Sequence, residues 1–248
     1  RLARIDGADK MRVSLAALAA LTMLGFALVV TLTSVALTIA MALMVLVAVL
    51  IDRRFDLPLL TIFVQVGVVL VSSRLIITPG VLWALDAPLV ELLAVYGGSI
   101  GLLAASWHYI RGRERIAART MIDSAVLSLP FVLGIILLLR ALDNDIASHW
   151  GASLLAMICL LSAAVQYYRL QVSTGFVRQV RVGLCGIFGV ASALAFTVAM
   201  LVLSPLRDPD EIVFGPLVAD TLLVAYGLPA LLFGGLLYLF GRQSSALK

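Results

Sequence analysis

The stretch VSLAALAALTMLGFALVVTLTSVALTIAMALMVLVAVLI, Val13 to Ile51, runs for 39 residues without one charged side chain. As a single helix rising about 1.5 Å per residue it would reach roughly 58 Å, about twice the ~30 Å hydrocarbon core of a bilayer. It therefore has to fold back. Its most polar point is Thr31-Leu32-Thr33-Ser34, which predicts a hairpin between one helix at 13–30 and a second at 34–51.

Carried along the other apolar runs, the same reading places further spans at 58–77, 89–109, 117–142, 150–168, 181–204 and 216–240. The expected fold class is all-α, a polytopic transmembrane helical bundle of about eight spans. Composition agrees, because 62% of the 248 residues are hydrophobic and 13% charged, with mean hydropathy +1.12. Soluble domains carry about 25% charged residues. Disorder, a disulfide scaffold and a soluble nucleic-acid binder are excluded. The net charge of +4 comes from cations scattered between apolar runs, so no nucleic-acid partner is expected.

The charges also orient the chain, since cytoplasmic loops collect Lys and Arg. Alternate connections hold Arg1, Arg4, Lys10 and Arg12, then Arg53 and Arg54, then Arg111, Arg113, Arg115 and Arg119, then Arg169, Arg178 and Arg181, then Arg242 and Lys248, fifteen of the eighteen basic residues. The opposite connections carry Asp86, Asp143, Asp145, Asp208, Asp210 and Glu211, with Arg207 the one cation in a loop. Both termini are thus expected in the cytoplasm. Trp83 and Trp150 fall at the outer interface and Trp107-His108-Tyr109 at the inner one, where amphipathic rings anchor a helix. The start at Arg1 suggests a piece of a longer protein, with span 1 as the first insertion element of this stretch.

An internal repeat emerges when the halves are compared. Leu75-Ile76-Ile77-Thr78-Pro79 ends span 3, and Pro88-Leu89-Val90-Glu91 opens span 4, which continues to Tyr96-Gly97-Gly98. Leu201-Val202-Leu203-Ser204-Pro205 ends span 7, and Pro216-Leu217-Val218-Ala219-Asp220 opens span 8, which continues to Tyr226-Gly227-Leu228-Pro229. The offset is 126 residues at the proline and 130 at the tyrosine, so each unit holds four spans. An even number of spans re-enters the membrane in the same orientation, giving two parallel four-helix repeats. The expected organisation is a cytoplasmic segment at 1–12, repeat 1 at 13–109, a basic linker at 110–116, repeat 2 at 117–240 and a tail at 241–248. Gly97 and Gly101 in span 4, and Gly183, Gly186 and Gly189 in span 7, are candidate packing positions, because small residues let transmembrane helices approach closely.

The Leu222 to Ala230 block, its degenerate copy at Leu92 to Ser99 and the turn Asp52-Arg53-Arg54-Phe55-Asp56-Leu57-Pro58 resemble the bacterial multi-pass membrane proteins grouped as domain of unknown function family 2339. The likeness covers about Leu15 to Phe240 and implies a C-terminal part of a longer chain, with no established activity. In the first repeat Gly98-Ser99 replaces Leu228-Pro229, so a helix break is expected at Pro229 and not in span 4.

Ionisable groups inside spans are costly, and each is a functional candidate. Here they are Arg74, Glu91, Asp123, Arg140 and Asp220. Glu91 and Asp220 stand in the first turns of spans 4 and 8, where a carboxylate meets the favourable end of the helix dipole. The sharper alternative is an outer vestibule in which Arg74 and Arg140 pair with them, as helix locks or as a site for a charged group. Asp123 lies deeper, beside a Thr120, Ser124 and Ser128 line and about two turns below Pro130. Similar polar lines run through Thr61, Gln65 and Ser72, and through Cys159, Ser162 and Gln166. They make either interhelical hydrogen bonds or the wall of a polar cavity. No HExxH, GxSxG, P-loop or dinucleotide turn occurs, so no catalytic residue, metal or cofactor is assigned. The acidic groups Asp143-Asn144-Asp145 and Asp208-Pro209-Asp210-Glu211 lack the spacing of a calcium loop, and Cys159 and Cys185 are not expected to pair.

The expected function is that of a non-enzymatic multi-pass protein of the bacterial cytoplasmic membrane, a scaffold or a component of a transport or envelope system. Its expected partners are membrane lipids and further transmembrane helices of the same longer chain or of a partner membrane protein. A transporter of an amphiphilic cargo is the alternative, using Asp123 and the polar lines. An intramembrane enzyme would need His149, Asp143 and Glu91 within hydrogen-bond reach.

Overall fold

The computed structural model describes residues 10–78, 80–112, 114–142, 148–171, 173, 175–205, 207, 215–216 and 220–246. Helices make up the described secondary structure, with no strand among the described residues. They are α1 (Lys10–Thr31), α2 (Ser34–Phe55), α3 (Leu60–Ile76), α4 (Gly80–Asp86), α5 (Leu89–Ile110), α6 (Ile116–Ala141), α7 (His149–Leu170), α8 (Gly175–Leu201) and α9 (Leu228–Ala246). Six of them are long and apolar enough to cross a membrane, the stretch in α8 being Val177–Leu201. The pair α3 and α4, bent by 48°, makes a seventh if it is one span, and Leu223–Leu239 is a shorter apolar helix. The chain is a multi-pass membrane protein.

The hairpin expected at Thr31 to Ser34 is present: α1 ends at Thr31, and Thr33 in extended conformation leads into α2. At the far end of α2, Asp56 adopts a left-handed conformation, φ 55°, and its N–H closes the last turn on the Asp52 carbonyl. That turn redirects the chain into α3 within four residues.

Three expectations need correction. The loop after span 3 contains α4, which starts at Gly80 with φ +72°, a conformation that glycine adopts without strain. The helix of span 7 starts at Gly175 and not at 181, because the apolar series Val177, Val180, Leu184 already has helical spacing. Arg178 and Arg181 are therefore helix residues and not loop cations, and Arg181 is only 4% exposed. Finally, span 4 is not regular where the proline is missing. A turn of π-helix occupies Leu93–Gly97 inside α5, just as one occupies Leu223–Gly227 ahead of α9. The same turn forms in span 4, where Gly98-Ser99 stands in place of Leu228-Pro229, so a proline is not required for it.

The chain divides into two compact units, Arg1–Leu133 and Gly134–Lys248, and the division falls inside α6 rather than at the basic linker 110–116. In the first unit α2 is central, packed by α3 and α5, with α1 lying lightly on α2 and α3. Only Ser14 and Leu21 of α1 are buried. α3 approaches α2 closely at Gly67, where a Cβ would stand 2.6 Å from Val45 Cγ2. In the second unit α7 and α8 form the principal pair, with the π-turn and α9 against α7. Ala152, Ala156, Cys159 and Ala163 give α7 a buried small-residue face, and Ser192 Oγ of α8 donates to the Ala156 carbonyl at 2.8 Å.

Several sequence features lie outside the described residues: Arg1, Arg4, Pro79, Arg113, Asp143-Asn144-Asp145, Asp208-Pro209-Asp210-Glu211, Leu217-Val218-Ala219 and Lys248.

Candidate functional site

The first unit has a charged cluster at the end of the bundle where α2 closes. Asp52 is 5% exposed, and an ionised carboxylate buried to that degree needs compensation. It receives three donors: Leu57 N–H at 2.9 Å, and Arg115 Nε and Nη2 at 3.1 Å each, the two-pronged geometry that suits guanidinium and carboxylate. Arg115 Nη2 also reaches Asp56 Oδ1 at 3.0 Å, and Lys10 Nζ meets Asp56 Oδ2 at 2.7 Å. The start of α1, the end of α2 and the entry to α6 are tied at one point. The hydrogen bond to Asp52 raises the Arg115 guanidinium above its ordinary value, burial opposing it in part, so this cation is charged at every pH the protein meets. Sequence reasoning passed over this site, reading Arg115 as one linker cation among several. Its signal was Asp52 and Asp56, two carboxylates in a stretch otherwise chosen for positive charge. Nearby, the Arg111 guanidinium lies 3.5 Å over the Trp107 ring and Arg53 lies 5.2 Å over Tyr109, so the aromatic belt is capped by cations.

At the opposite end of the same helices, Arg74 Nη2 donates to the Ser34 carbonyl at 2.7 Å and Nε to Thr38 Oγ1 at 3.2 Å. Arg74 thus locks α3 to the first turn of α2. The pairing of Arg74 with Glu91 is absent: Glu91 is exposed in the first turn of α5 and makes no ion pair among the described residues. Asp220 caps its own helix, Oδ1 accepting Leu223 N–H at 3.0 Å. Arg140 lies in the last turn of α6.

The tyrosines of the two π-turns make one kind of contact twice. Tyr96, fully buried, donates to the Leu75 carbonyl in the last turn of α3 at 2.5 Å. Tyr226 donates to the Ala199 carbonyl in the last turn of α8 at 3.4 Å. A π-turn widens the helix by one residue and re-aims the side chain it carries. Each tyrosine is thereby clasped to the end of the preceding long helix. Tyr226 also stacks on His149, ring centroids 6.4 Å apart, and His149 Nε2 lies 3.2 Å from Thr221 Oγ1. His149 is fully buried, whereas Asp143 of the imagined catalytic cluster lies outside the described residues.

The polar lines divide by burial. Asp123 is 7% exposed, and Gln166, Ser162 and Cys159 are buried on α7. Gln65 is half-buried on α3 and forms no hydrogen bond among the described residues. Thr120 returns its hydroxyl to the Ile116 carbonyl one turn back at 2.7 Å, the usual way a helix absorbs such a group. Two grooves open on the units, about 420 Å³ between α1, α2 and α3 and about 520 Å³ between α7, α8 and α9. Both are apolar, and neither is lined by Thr61, Gln65, Asp123 or Gln166. No family model, no curated protein and no solved structure matches the chain.

Among the described residues, the five candidate packing glycines make no close contact with a neighbouring helix. A Cβ at Gly97, Gly101, Gly183, Gly186 or Gly189 would meet no atom within 4 Å. Gly97, Gly101, Gly183 and Gly186 are exposed. The glycine that does allow helices to touch is Gly67, which stands alone in α3 without the i, i+4 partner that drew attention elsewhere.

Proposed function

We propose that the chain is a non-enzymatic scaffold of the bacterial cytoplasmic membrane, with eight spans, both termini in the cytoplasm and two parallel four-helix repeats, akin to the domain of unknown function family 2339 proteins. The observation that carries the reading is the repeated clasp: Tyr96 and Tyr226, 130 residues apart in matching sequence, each emerge from a π-turn and bond to the last turn of the helix before. That is what duplication of a four-span unit produces. The polar groups support a structural role over a conducting one. Arg74, Asp220, Ser192 and both tyrosines are engaged within their own units, and the grooves avoid the polar lines. The exposed Gly183 and Gly186 on α8 suit contact with a further transmembrane helix of the longer chain or of a partner membrane protein.

Two measurements test this. Single cysteines at Ser148 and Ser173, labelled in intact cells, are expected to react from outside and from inside respectively. Gln65→Ala and Asp123→Ala are expected to leave growth and envelope integrity of the host unchanged, while Gly186→Leu abolishes co-purification of membrane partners. A growth or envelope defect with Gln65→Ala or Asp123→Ala, and retained partner co-purification with Gly186→Leu, would replace the scaffold with the transporter.

A further inference from the structure

The groove between α1, α2 and α3 points to an occupant. Its walls include Leu18, Phe26 and Val29 of α1, Met41 of α2, and Ile62 and Leu70 of α3. Phe26 is 71% exposed and Ile62 53%, so the groove opens sideways where a membrane protein meets hydrocarbon. From Leu18 to Val29 it runs for about 16 Å, roughly half the hydrocarbon thickness. Its lining is apolar from end to end and shorter than a membrane span, which suits a single hydrocarbon chain.

One end of it carries a cation. Arg74 is one helical turn beyond Leu70 on α3, and its acceptors Thr38 and Ser34 lie one and two turns beyond Met41 on α2. Two of its N–H groups are used on those acceptors. Both hydrogens on Nη1 and the second on Nη2 have no acceptor among the described residues, and the side chain is half-exposed. Thr38 and Ser34 hold the guanidinium in place, so a fork of donors is presented at the polar end of an apolar slot.

We propose that this groove binds one acyl chain of an anionic phospholipid whose phosphate is held by Arg74. The site is independent of the scaffold reading. Headgroup selectivity comes from the guanidinium, which recognises phosphate through charge-assisted bonds, and a zwitterionic lipid lacks the net charge that makes the contact favourable.

The test is native mass spectrometry of the full chain released from detergent micelles doped with phosphatidylglycerol or with phosphatidylcholine, alongside thermal unfolding of the same samples. The wild type is expected to retain one phosphatidylglycerol in preference to phosphatidylcholine. Arg74→Gln is expected to lower that occupancy by about tenfold or more. Because Arg74 also ties α3 to α2, a second variant is needed. Gly25→Leu fills the groove from α1, where a Cβ meets no atom within 4 Å, and is expected to lose the lipid while keeping its Tm. Equal retention of the two lipids by the wild type, or wild-type occupancy in folded Arg74→Gln or Gly25→Leu, overturns the proposal. So does protection by inorganic phosphate alone that matches phosphatidylglycerol, which would make the site one for a free anion.

Discussion

Replacing Arg115 with Gln removes the one cation that, among the described residues, pairs with the buried carboxylate of Asp52. Among those residues Asp52 then keeps only the Leu57 N–H, while its side chain is 7% exposed. Breaking a buried ion pair from one side costs about 3–5 kcal/mol. Arg115 is 17% exposed and the Leu57 donor persists, so water and that bond offset part of the loss and about 2 kcal/mol is expected. For a chain of this size that corresponds to a Tm lower by about 4–8 °C. The assay is thermal unfolding of the full chain in detergent, followed by tryptophan fluorescence, with the double-mutant cycle Arg115→Gln, Asp52→Asn. The cycle is expected to show coupling of about 1–2 kcal/mol, since Arg115→Gln has little left to disrupt once Asp52 is neutral. The guanidinium is held above its ordinary value. A group whose folded value is raised contributes fully below its unfolded value and loses that contribution only as pH climbs through the folded one. The Tm gap between wild type and Arg115→Gln is therefore expected to be the same at about pH 7 and about pH 9. A Tm within about 1 °C of wild type, or additive single effects in the cycle, refutes the reasoning.

Asp56 and Lys10 belong to the same network but are 47% and 59% exposed, so Asp56→Asn and Lys10→Ala are each expected to change stability by less than about 1 kcal/mol in the same assay. Gly67→Ala places a methyl 2.6 Å from Val45 Cγ2 and is expected to cost about 1–3 kcal/mol, recovered in large part by Val45→Ala, whereas Gly186→Ala leaves the Tm of the isolated chain unchanged. Tyr96→Phe is expected to cost about 1 kcal/mol, and Tyr226→Phe, whose bond is 3.4 Å long and less buried, measurably less; equal effects would contradict the geometry.

The candidate sites were legible to different degrees for physical reasons. Asp220 could be placed at a helix start from its neighbours alone, because a cap is a local interaction over three residues. Arg74 was recognised as unusual, but its partners were not, since Ser34 and Thr38 are 40 and 36 residues away and depend on how α2 and α3 face each other. Glu91 is a partner that charge alone suggests, as one alternative to a free N-terminal carboxylate, whereas a bond to a helix-end carbonyl carries no sequence signature. Asp52 and Arg115 are 63 residues apart, and only the packing of three helix ends brings them together. The glycines show the same limit. Spacing identifies Gly183 and Gly186 as a ridge, yet whether a ridge meets a neighbour is a property of the rotation of α8 about its axis.

Composition and periodicity alone determined that this chain is helical and crosses a membrane. They also placed the first hairpin at Thr31 to Ser34, because bilayer thickness limits how long an uncharged run can be before it turns. The matching Tyr-Gly segments were visible as sequence. Tertiary structure decided what those segments do, by placing each tyrosine on a π-turn within reach of a carbonyl more than twenty residues away. It also decided that Arg74 and Arg115 are clamps at opposite ends of one set of helices, since the partners of a long cationic side chain depend on which helix ends packing brings together.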